Sequence, residues 1–276
     1  MVVLDSNERI LTSGDKVTGK CIIELDGVLK LSQIVINIIG FEYARIEQGR
    51  STYYGHDRFL KVDFNFVGQA LDREIGKGVH ELPFVLPLPN EGIPSSFKAR
   101  NAAVEYSING MLRKPQIFKR NHRVDKIPFI VEAPFILPEL MLPRQMVSEK
   151  QIGLIANDGS VRGTVNLNKH GFYPGDIILV DYIVNNRTAM EVSTSARLSR
   201  TRLYHVGSHK RTKTNKFDKC VGLPIHPGID GSGKIQVSVP MDIPLSMEAT
   251  HISITYELRF TVKIPGKNNF QEFSNK

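Results

Sequence analysis

The stretch from Ile252 to Ile264 reads ISITYELRFTVKI, and no other part of the chain limits the fold as strongly. Its apolar residues occupy every second position, and polar residues fill the positions between them. Successive side chains of a strand point to opposite faces, whereas the side chains of a helix repeat every 3.6 residues. The alternation therefore predicts a long β-strand that covers one side of a buried core.

An earlier part of the chain repeats the surroundings of this strand. Pro94 and Pro244 each end an Ile-Pro pair, and a polar connection and an alternating strand follow each of them. A central tyrosine stands 12 residues after each proline, Tyr106 in the first case and Tyr256 in the second. The matched spacing indicates that the chain contains an internal duplication.

A second pair of landmarks supports the duplication. Ser-Gly-Asp at residues 13–15 and Pro-Gly-Asp at residues 174–176 have turn-forming composition, and an alternating strand pattern follows each turn. The glycine of each turn precedes the tyrosine of its own half in the same order. The sequence therefore predicts two similar β-sandwiches in tandem.

The remaining segments also have the character of strands. Residues 31–43 are apolar on both alternating positions, which predicts a strand in the middle of a sandwich, covered on both faces. The first half shows short strands between Gly, Pro, Asn and Asp turns, without a sustained helical pattern. We therefore predict an all-β fold.

Prolines interrupt the pattern near the middle of the chain. Residues 133–148 contain Pro134, Pro138 and Pro143, which disfavour both helix and sheet. We predict one sandwich at residues 1–134, an interdomain connector at 135–148 and a second sandwich at 149–276. The alternative interpretation is a loop within a single sandwich.

Composition restricts the compartment and the partners. The chain has no apolar run long enough to span a bilayer and no secretory signal, which predicts a soluble cytosolic protein. Cys21 and Cys220 do not form a disulfide framework, and the alternation around Cys21 predicts a buried thiol. The net charge of +8 favours acidic partners: phosphorylated tails, anionic lipid or nucleic acid.

Basic residues concentrate in two segments that form the candidate anionic-partner patch. The segment 197–219 is strongly positive and is interpreted as a loop, and a smaller basic group lies in the first half. The candidate residues are Arg197, Arg200, Arg202, Lys210, Arg211, Lys213, Lys119, Arg120 and Arg123. Such a patch can bind anionic lipid or pair with phosphorylated or acidic tails, and a simple solvated loop is the alternative. Tyr204 and Phe217 are the only aromatic residues near the cluster, which argues against nucleic acid.

Signals for catalysis and cofactors are missing. The sequence lacks a Gly-x-Ser-x-Gly elbow, a phosphate-binding Gly-x-x-x-x-Gly-Lys loop and a His-Glu-x-x-His helix. His205, His209, Cys220 and His226 stand at intervals that match no common zinc pattern. We predict no enzyme activity, no cofactor and no metal site.

Four blocks resemble the arrestin superfamily and, within it, the α-arrestins, or arrestin domain-containing proteins. The blocks are SGDKVTGKCIIEL, HELPFVLPLPNEGIPSSFKARNAAVEYSINGML, GFYPGDIILVDYIVNN and IPLSMEATHISITYELRFTVKIPG. They occur in family order and cover nearly all of the chain. The resemblance implies two immunoglobulin-like sandwiches and a non-enzymatic adaptor that binds membrane-protein cargo and recruits trafficking or ubiquitination machinery.

The resemblance also sets the expected partners and location. It implies binding to the cytoplasmic tails of receptors or transporters, in the cytoplasm or at the periphery of the plasma membrane or endosomes, with anionic lipid as a further partner. The chain contains no Pro-Pro pair, so the Pro-Pro-x-Tyr motif that recruits ubiquitin ligases is absent from it. The alternatives are a structural β-sandwich module without a trafficking role and nucleic-acid binding through residues 197–219. The strand at Ile252 to Ile264 is interpreted as a fold marker, with binding residues expected elsewhere.

Overall fold

The computed structural model describes residues 1–5, 10–30, 33–66, 74–113, 122–133, 138–151, 159–265 and 270–275. Contacts between Cα atoms divide the chain into two compact units. Unit 1 consists of Met1–Pro134, Tyr204–Arg211 and Met247–Ile252, and unit 2 consists of Phe135–Leu203, Thr212–Ser246 and Ser253–Lys276. Among the described residues, no helix combines the length and the apolar character needed to cross a membrane.

The first eleven strands lie in unit 1. They are β1 (Val2–Leu4), β2 (Ile10–Thr12), β3 (Lys16–Leu25), β4 (Leu29–Lys30), β5 (Gln33–Gln48), β6 (Ser51–Asn65), β7 (Glu74–Ile75), β8 (Gly78–Pro87), β9 (Phe97–Ala99), β10 (Ala102–Arg113) and β11 (His122–Glu132). One sheet has the order β1-β3-β8, and a six-stranded sheet has the order β2-β11-β10-β5-β6 with β9 paired to β10. Strands β4 and β7 form a separate pair.

Alternating side chains of the two larger sheets build the core of unit 1. Strand β3 buries Val17, Cys21 and Ile23, and Cys21 is only 1% exposed, which confirms the predicted buried thiol. Strand β5 lies between β10 and β6, and residues 34–38 are buried on both faces. The prediction of a strand covered on much of both faces is therefore confirmed for residues 34–38, whereas Phe41 is exposed.

The remaining strands begin after a 3-10 turn at Pro138–Met141. They are β12 (Arg144–Gln151), β13 (Ser160–Leu167), β14 (Ile177–Asn186), β15 (Ser193–Val206), β16 (His209–Val221), β17 (Asp230–Ser238), β18 (Met247–Glu248), β19 (Ile252–Lys263) and β20 (Phe270–Asn275). A four-stranded sheet has the order β12-β13-β14-β17, and a five-stranded sheet has the order β16-β15-β19-β18 with β20 paired to β19.

Apolar side chains from both of these sheets form one core in unit 2. Strand β14 contributes Ile178, Val180, Tyr182 and Val184, and β19 contributes Leu258, Phe260 and Val262 among others. The every-second-residue pattern of the sequence is the pattern of burial, because each of these strands has one face on the core. The predicted all-β fold with two tandem β-sandwiches is confirmed.

The 12-residue spacing between proline and tyrosine has a direct structural cause. The hydroxyl of Tyr106 donates a hydrogen bond to the carbonyl oxygen of Pro94 at 2.5 Å. The hydroxyl of Tyr256 donates to the carbonyl oxygen of Pro244, also at 2.5 Å. Each bond ties a strand tyrosine to the connection that precedes its strand, so the spacing is fixed by a contact present in both halves.

The two Gly-Asp turns also make matching backbone hydrogen bonds. The N–H of Gly14 donates to Pro89 O at 3.0 Å, and the N–H of Gly175 donates to Val239 O at 3.0 Å. Both glycines have a φ of 90°, a left-handed conformation that other residues rarely adopt. The duplication inferred from the sequence therefore extends to backbone geometry.

One interpretation of local structure needs correction. The basic segment 197–219 is not a loop but lies almost entirely in strands β15 and β16, which pair as a hairpin. Its charged residues hide the alternation, because Arg200 and Arg202 occupy inward positions of β15 that follow the apolar Ala196 and Leu198. In addition, residues 144–148 of the predicted connector belong to strand β12, which pairs with β13.

Candidate functional site

Strand alternation separates the three arginines that the sequence placed in one patch. Arg197 follows the odd-numbered positions of β15, together with Ser195, Ser199 and Thr201, and these four side chains line one concave surface. Arg200 and Arg202 have the same parity as the core residues of the strand and lie on its opposite face. The structure therefore does not bring the three arginines together.

Arg200 and Arg202 have contacts within unit 2. The guanidinium of Arg200 lies 5.9 Å from the ring centroid of Phe217, and a hydrogen bond joins Arg200 to the Tyr256 hydroxyl. The Nη2 group of Arg202 donates to Asn215 Oδ1 at 3.1 Å. Burial raises the pKa of Tyr256, and the two arginines oppose part of that shift. These arginines support the hairpin from its inner side.

The other predicted patch residues are scattered. Lys210 and Arg211 are exposed and belong to unit 1, whereas Lys213 is exposed on β16 in unit 2. Lys119 and Arg120 lie outside the described residues. Arg123 belongs to strand β11, and the structure describes only its backbone. The nine predicted residues therefore do not form one surface in the part of the chain that the structure describes.

A different group of basic residues converges on the outer face of the five-stranded sheet, within the part of that sheet that belongs to unit 2. The residues enclose a concavity of about 390 Å³, which we call the basic groove. Strands β15, β16 and β19 supply its lining. The lining residues are Ser195, Arg197, Ser199, Thr201, Thr214, Lys216, Lys219, Glu257, Arg259, Thr261 and Lys263.

The charges of the basic groove are strongly unbalanced. Five of the described lining residues are basic, Glu257 is the one acidic member, and the remaining five carry hydroxyl groups. Glu257 pairs with Arg259 at 3.2 Å. Among the described residues, none of the other four cations forms an ion pair. A surface of this kind attracts anions, because cations supply Coulomb attraction and both cations and hydroxyls donate hydrogen bonds.

Sequence reasoning missed most of this groove. Arg197 belongs to it, and Lys216 and Lys219 fall within the positive segment 197–219, but Arg259 and Lys263 come from the strand interpreted only as a fold marker. The available signal was the polar face of the Ile252–Ile264 alternation, which carries Arg259 and Lys263 four residues apart on one side of the strand. The expectation that binding residues lie away from this strand stays a prediction.

Four residues that were weighed as zinc ligands have separate environments. The ring of His209 stacks on Tyr53 at 3.5 Å between centroids, and His205 meets the ring of His251 edge to face at 6.0 Å. Cys220 packs against the core of unit 2, and His226 pairs with Glu191 at 2.9 Å. Within the described residues, no group of three or more His, Cys, Asp or Glu side chains is arranged to hold a metal ion.

One carboxyl group is buried among the residues of unit 1 that the structure describes. Glu42 on β5 is fully buried, and its Oε1 accepts a hydrogen bond from the backbone N–H of His251 at 2.7 Å. Its Oε2 has no hydrogen-bond partner. Burial raises the pKa of Glu42, and the nearby backbone N–H groups of residues 250–252 oppose part of that shift. The hydrogen bond ties residues 247–252 to strand β5 within unit 1.

Comparisons with known proteins agree with this architecture. The family model for the arrestin (or S-antigen) N-terminal domain matches residues 1–132, and the model for the arrestin C-terminal domain matches residues 157–274. The two matches follow one another in the family's order.

Individual relatives are distant but similar over long stretches. Thioredoxin-interacting protein of Homo sapiens is 25% identical over 281 residues, which cover 96% of this chain and 70% of that protein. The same protein of Sus scrofa is 24% identical over 278 residues, with the same shares covered. Arrestin domain-containing protein 4 of Mus musculus is 24% identical over 192 residues, and the match covers 68% of this chain but only 46% of that relative. Because both halves match domains of one family in chain order, the chain belongs to the arrestin family, with α-arrestins as its relatives.

Proposed function

We propose that this protein is a non-enzymatic adaptor that binds the cytoplasmic tails of membrane receptors or transporters and links them to endocytic sorting, protein transport or ubiquitination. The ordered match of both arrestin domains over nearly the whole chain is the observation that carries the proposal. Proteins of this family act by binding, and a β-sandwich suits that task because its strand edges, faces and loops can each contact a partner.

The proposed arrangement has two binding-competent halves in one chain. We propose sandwiches at residues 1–134 and 149–276 joined by a connector at 135–148, with β12 starting inside the connector. We further propose that the protein acts at the cytoplasmic side of the plasma membrane or of endosomes. Anionic lipid is a secondary candidate partner there, because a basic surface gains roughly 1 kcal/mol per Lys or Arg near an anionic leaflet.

The nucleic-acid alternative receives no support from the basic groove. Proteins that hold single-stranded nucleic acid place aromatic side chains for base stacking among the cations. None of the described residues that line the groove is aromatic. Phe217, one of the two aromatics near the basic cluster in sequence, packs on the core of unit 2 instead.

Capture of cargo in intact cells tests the adaptor function. The tagged full chain, expressed in cells that make the protein naturally, would be cross-linked and recovered beside the tag alone. We expect enrichment of integral membrane proteins whose cytoplasmic tails, made as free peptides, compete for the purified chain. Loss of the protein should then leave those cargoes at the cell surface. Recovery of membrane proteins no better than with the tag alone would contradict the proposal.

A core variant provides the matched control for this capture. Val165→Asp introduces a charge at a fully buried position of unit 2, so it should unfold that unit without changing the exposed surface of unit 1. Cargo that depends on folded unit 2 is lost from this variant. Cargo that stays on it is bound by unit 1 or non-specifically, and recovery with the tag alone identifies the non-specific part.

A further inference from the structure

We propose that strand β17 of unit 2 pairs antiparallel with β17 of a second copy of this chain, which joins two four-stranded sheets into one continuous sheet. The two-fold axis of this dimer passes beside Ser232, so each Ser232 lies opposite its counterpart. The inference goes beyond the proposed adaptor function and does not depend on it. It concerns residues 177–187 and 230–239, which all belong to unit 2.

The backbone of β17 has one open side. The N–H of Val239 donates to Asp176 O at 2.9 Å and the N–H of Asn186 donates to Ile229 O at 3.2 Å, at the two ends of the pairing between β17 and β14. Hydrogen-bonded pairs alternate along an antiparallel ladder, so the odd-numbered residues of β17 are the ones bonded to β14. The backbone N–H and C=O groups of the even-numbered residues from 230 to 238 therefore point away from β14. Among the described strands β17 pairs with β14 alone, which leaves these groups available to a further strand.

Other sheet ends carry protection that β17 lacks. Edge strands commonly avoid unwanted pairing through prolines or charged side chains. Strand β8 ends its sheet and contains Pro83 and Pro87, and β16 ends the five-stranded sheet with six charged residues among its thirteen. Strand β17 reads DGSGKIQVS, without proline, and Asp230 and Lys234 are its charged residues. Its edge is therefore suited to accept another strand.

The two charged residues of β17 favour a second copy as that strand. Asp230 and Lys234 lie on the same face of the strand, with Ser232 midway between them. When Ser232 faces its counterpart in an antiparallel copy, Asp230 lies opposite the second copy's Lys234, and Lys234 lies opposite the second copy's Asp230. Opposite charges directly across two strands are favourable. The strand is thus complementary to itself, as a two-fold interface requires, because each of its contacts occurs twice.

Other registers of the same pairing lack this match. The open backbone groups belong to even-numbered residues, so even-numbered residues of the two copies must face each other. A pairing centred on Lys234 overlaps the whole strand but opposes two lysines, which is unfavourable. A pairing centred on Gly233 places Lys234 opposite Ser232 and Asp230 opposite Gln236, without a charge pair. Of these three registers, the one centred on Ser232 is favoured by charge.

Neighbouring charges extend the match across the joined sheet. Within one chain, Lys234 Nζ lies 3.4 Å from Asp181 Oδ1, and Arg187 Nη2 lies 2.8 Å from Asp230 Oδ1. These ion pairs are exposed, so each contributes little by itself, whereas charges that form a network contribute more. In the dimer, Lys234 lies between its own Asp181 and the second copy's Asp230. Asp230 likewise lies between its own Arg187 and the second copy's Lys234, so the signs alternate.

Sedimentation equilibrium of the purified full chain over a range of concentrations tests the dimer. We expect self-association for the unchanged chain. Asp230→Lys and Lys234→Asp each place like charges opposite one another twice, so each should weaken the dimer at least about tenfold, which corresponds to about 1.4 kcal/mol. Arg162→Asp on β13 is the control, because it makes the same charge change as Lys234→Asp at an exposed position away from the edge, and it should leave the dimer unchanged.

An equimolar mixture of Asp230→Lys and Lys234→Asp separates the interface from damage to the fold. Every charge at the interface then faces an opposite one, so the two variants should form a heterodimer although each alone is weakened. Failure of the mixture to associate would mean that the variants act by disturbing the sheet, and it would overturn the proposal. An unchanged chain that stays monomeric at every concentration, or a dimer that Arg162→Asp weakens equally, would also overturn it.

Cross-linking tests the register. In a Cys220→Ser background, Ser232→Cys should place two thiols across the axis with their Cα atoms about 5.5 Å apart. Gln236→Cys is the matched control, exposed on the same face of β17, and its two copies should lie about 27 Å apart along the strands. We expect a short bismaleimide to link the first variant and not the second. Equal linking of the two variants, or linking of Gln236→Cys alone, would overturn the register centred on Ser232.

Discussion

Tyr106 and Tyr256 make the same hydrogen bond in two different environments. Tyr106 is 1% exposed, and the rings of Phe59 and Phe129 lie 5.4 Å and 5.9 Å from its ring. Tyr256 is half-buried, and its hydroxyl is also hydrogen-bonded to Arg200. The duplicated corner therefore has an apolar setting in unit 1 and a partly cationic setting in unit 2.

The difference shows which part of the corner the fold requires. The bond from the tyrosine hydroxyl to the proline carbonyl recurs at 2.5 Å in both halves, although the surroundings of the ring do not. A buried carbonyl without a partner is unfavourable by about 1–3 kcal/mol, which accounts for the repeated bond. The packing around each ring is free to differ, so we expect the two tyrosines to contribute unequally to stability.

Removal of each ring should give the largest effect. Tyr106→Ala deletes a buried aromatic ring and should destabilise unit 1 by about 3–5 kcal/mol, whereas Tyr256→Ala should destabilise unit 2 by about 2 kcal/mol. Hydrogen exchange followed by mass spectrometry reports β10 and β19 separately and so measures each unit in the full chain. Equal losses of hydrogen-exchange protection in β10 and β19 would show that the different surroundings of the two tyrosines do not affect stability.

Alkaline pH should distinguish the same two residues. Burial raises the pKa of the Tyr106 hydroxyl, so the folded unit holds this proton more tightly than the unfolded chain does. The stability of unit 1 should be unaffected below about pH 10 and should fall as the pH rises above that value, where the unfolded tyrosine ionises. The pKa of Tyr256 is also raised by burial, but its arginines oppose the shift, so unit 2 should be less sensitive.

Urea unfolding between pH 9 and 11, followed by hydrogen exchange in each unit, measures this dependence. Tyr106→Phe is the control, because it cannot ionise and should lose less stability over the same pH interval. An identical pH dependence in Tyr106→Phe would assign the effect to other groups.

Glu42 in unit 1 is the only charged residue among the described buried residues, and it should give a smaller effect. Burial raises the pKa of Glu42, so its contribution to stability is full below about pH 4.5 and falls as the pH rises. Glu42→Gln keeps the acceptor for the His251 N–H and removes the charge. We expect it to stabilise unit 1 at pH 7.5 by about 1 kcal/mol and to remove part of the difference between pH 5 and pH 7.5.

Thermal unfolding at the two pH values checks the Glu42 prediction. Glu42→Leu is the matched control, since it removes both the charge and the acceptor and should destabilise the unit at either pH. A Glu42→Gln variant less stable than the unchanged chain at pH 7.5 would show that the ionised carboxylate is favourable.

The outer face of unit 2 should have the smallest effect on stability. Lys216 and Lys219 are exposed and form no ion pair with a described residue, so neutralising both should change the free energy of unfolding by less than about 0.5 kcal/mol. Neutralising the two lysines should stabilise the unit slightly, because it relieves repulsion among neighbouring cations. This stabilisation should become smaller as salt is raised. Thermal unfolding at low and high salt measures it, and a large loss would mean that the lysines support the sheet.

The strands and the duplication were predictable because burial has the period of the secondary structure. Alternation at Ile252 to Ile264 follows from a strand with one face on a core, and the matched glycines and tyrosines mark bonds that recur in each half. The hairpin at 197–219 escaped prediction for the same reason. Its outward positions and some inward ones are charged, so the apolar period that reveals a strand is interrupted.

The sequence by itself determined the all-β class, the duplication and the family, since these depend on periodicity, spacing and ordered motifs within the chain. The tertiary structure decided which cations share a surface. Arg197 and Arg200 are neighbours in sequence but lie on opposite faces of β15, whereas Arg197 and Arg259 are far apart in sequence and lie across adjacent strands. Strand pairing brings distant residues together and alternation separates close ones, so a site on a sheet face cannot be read from charge clusters along the chain.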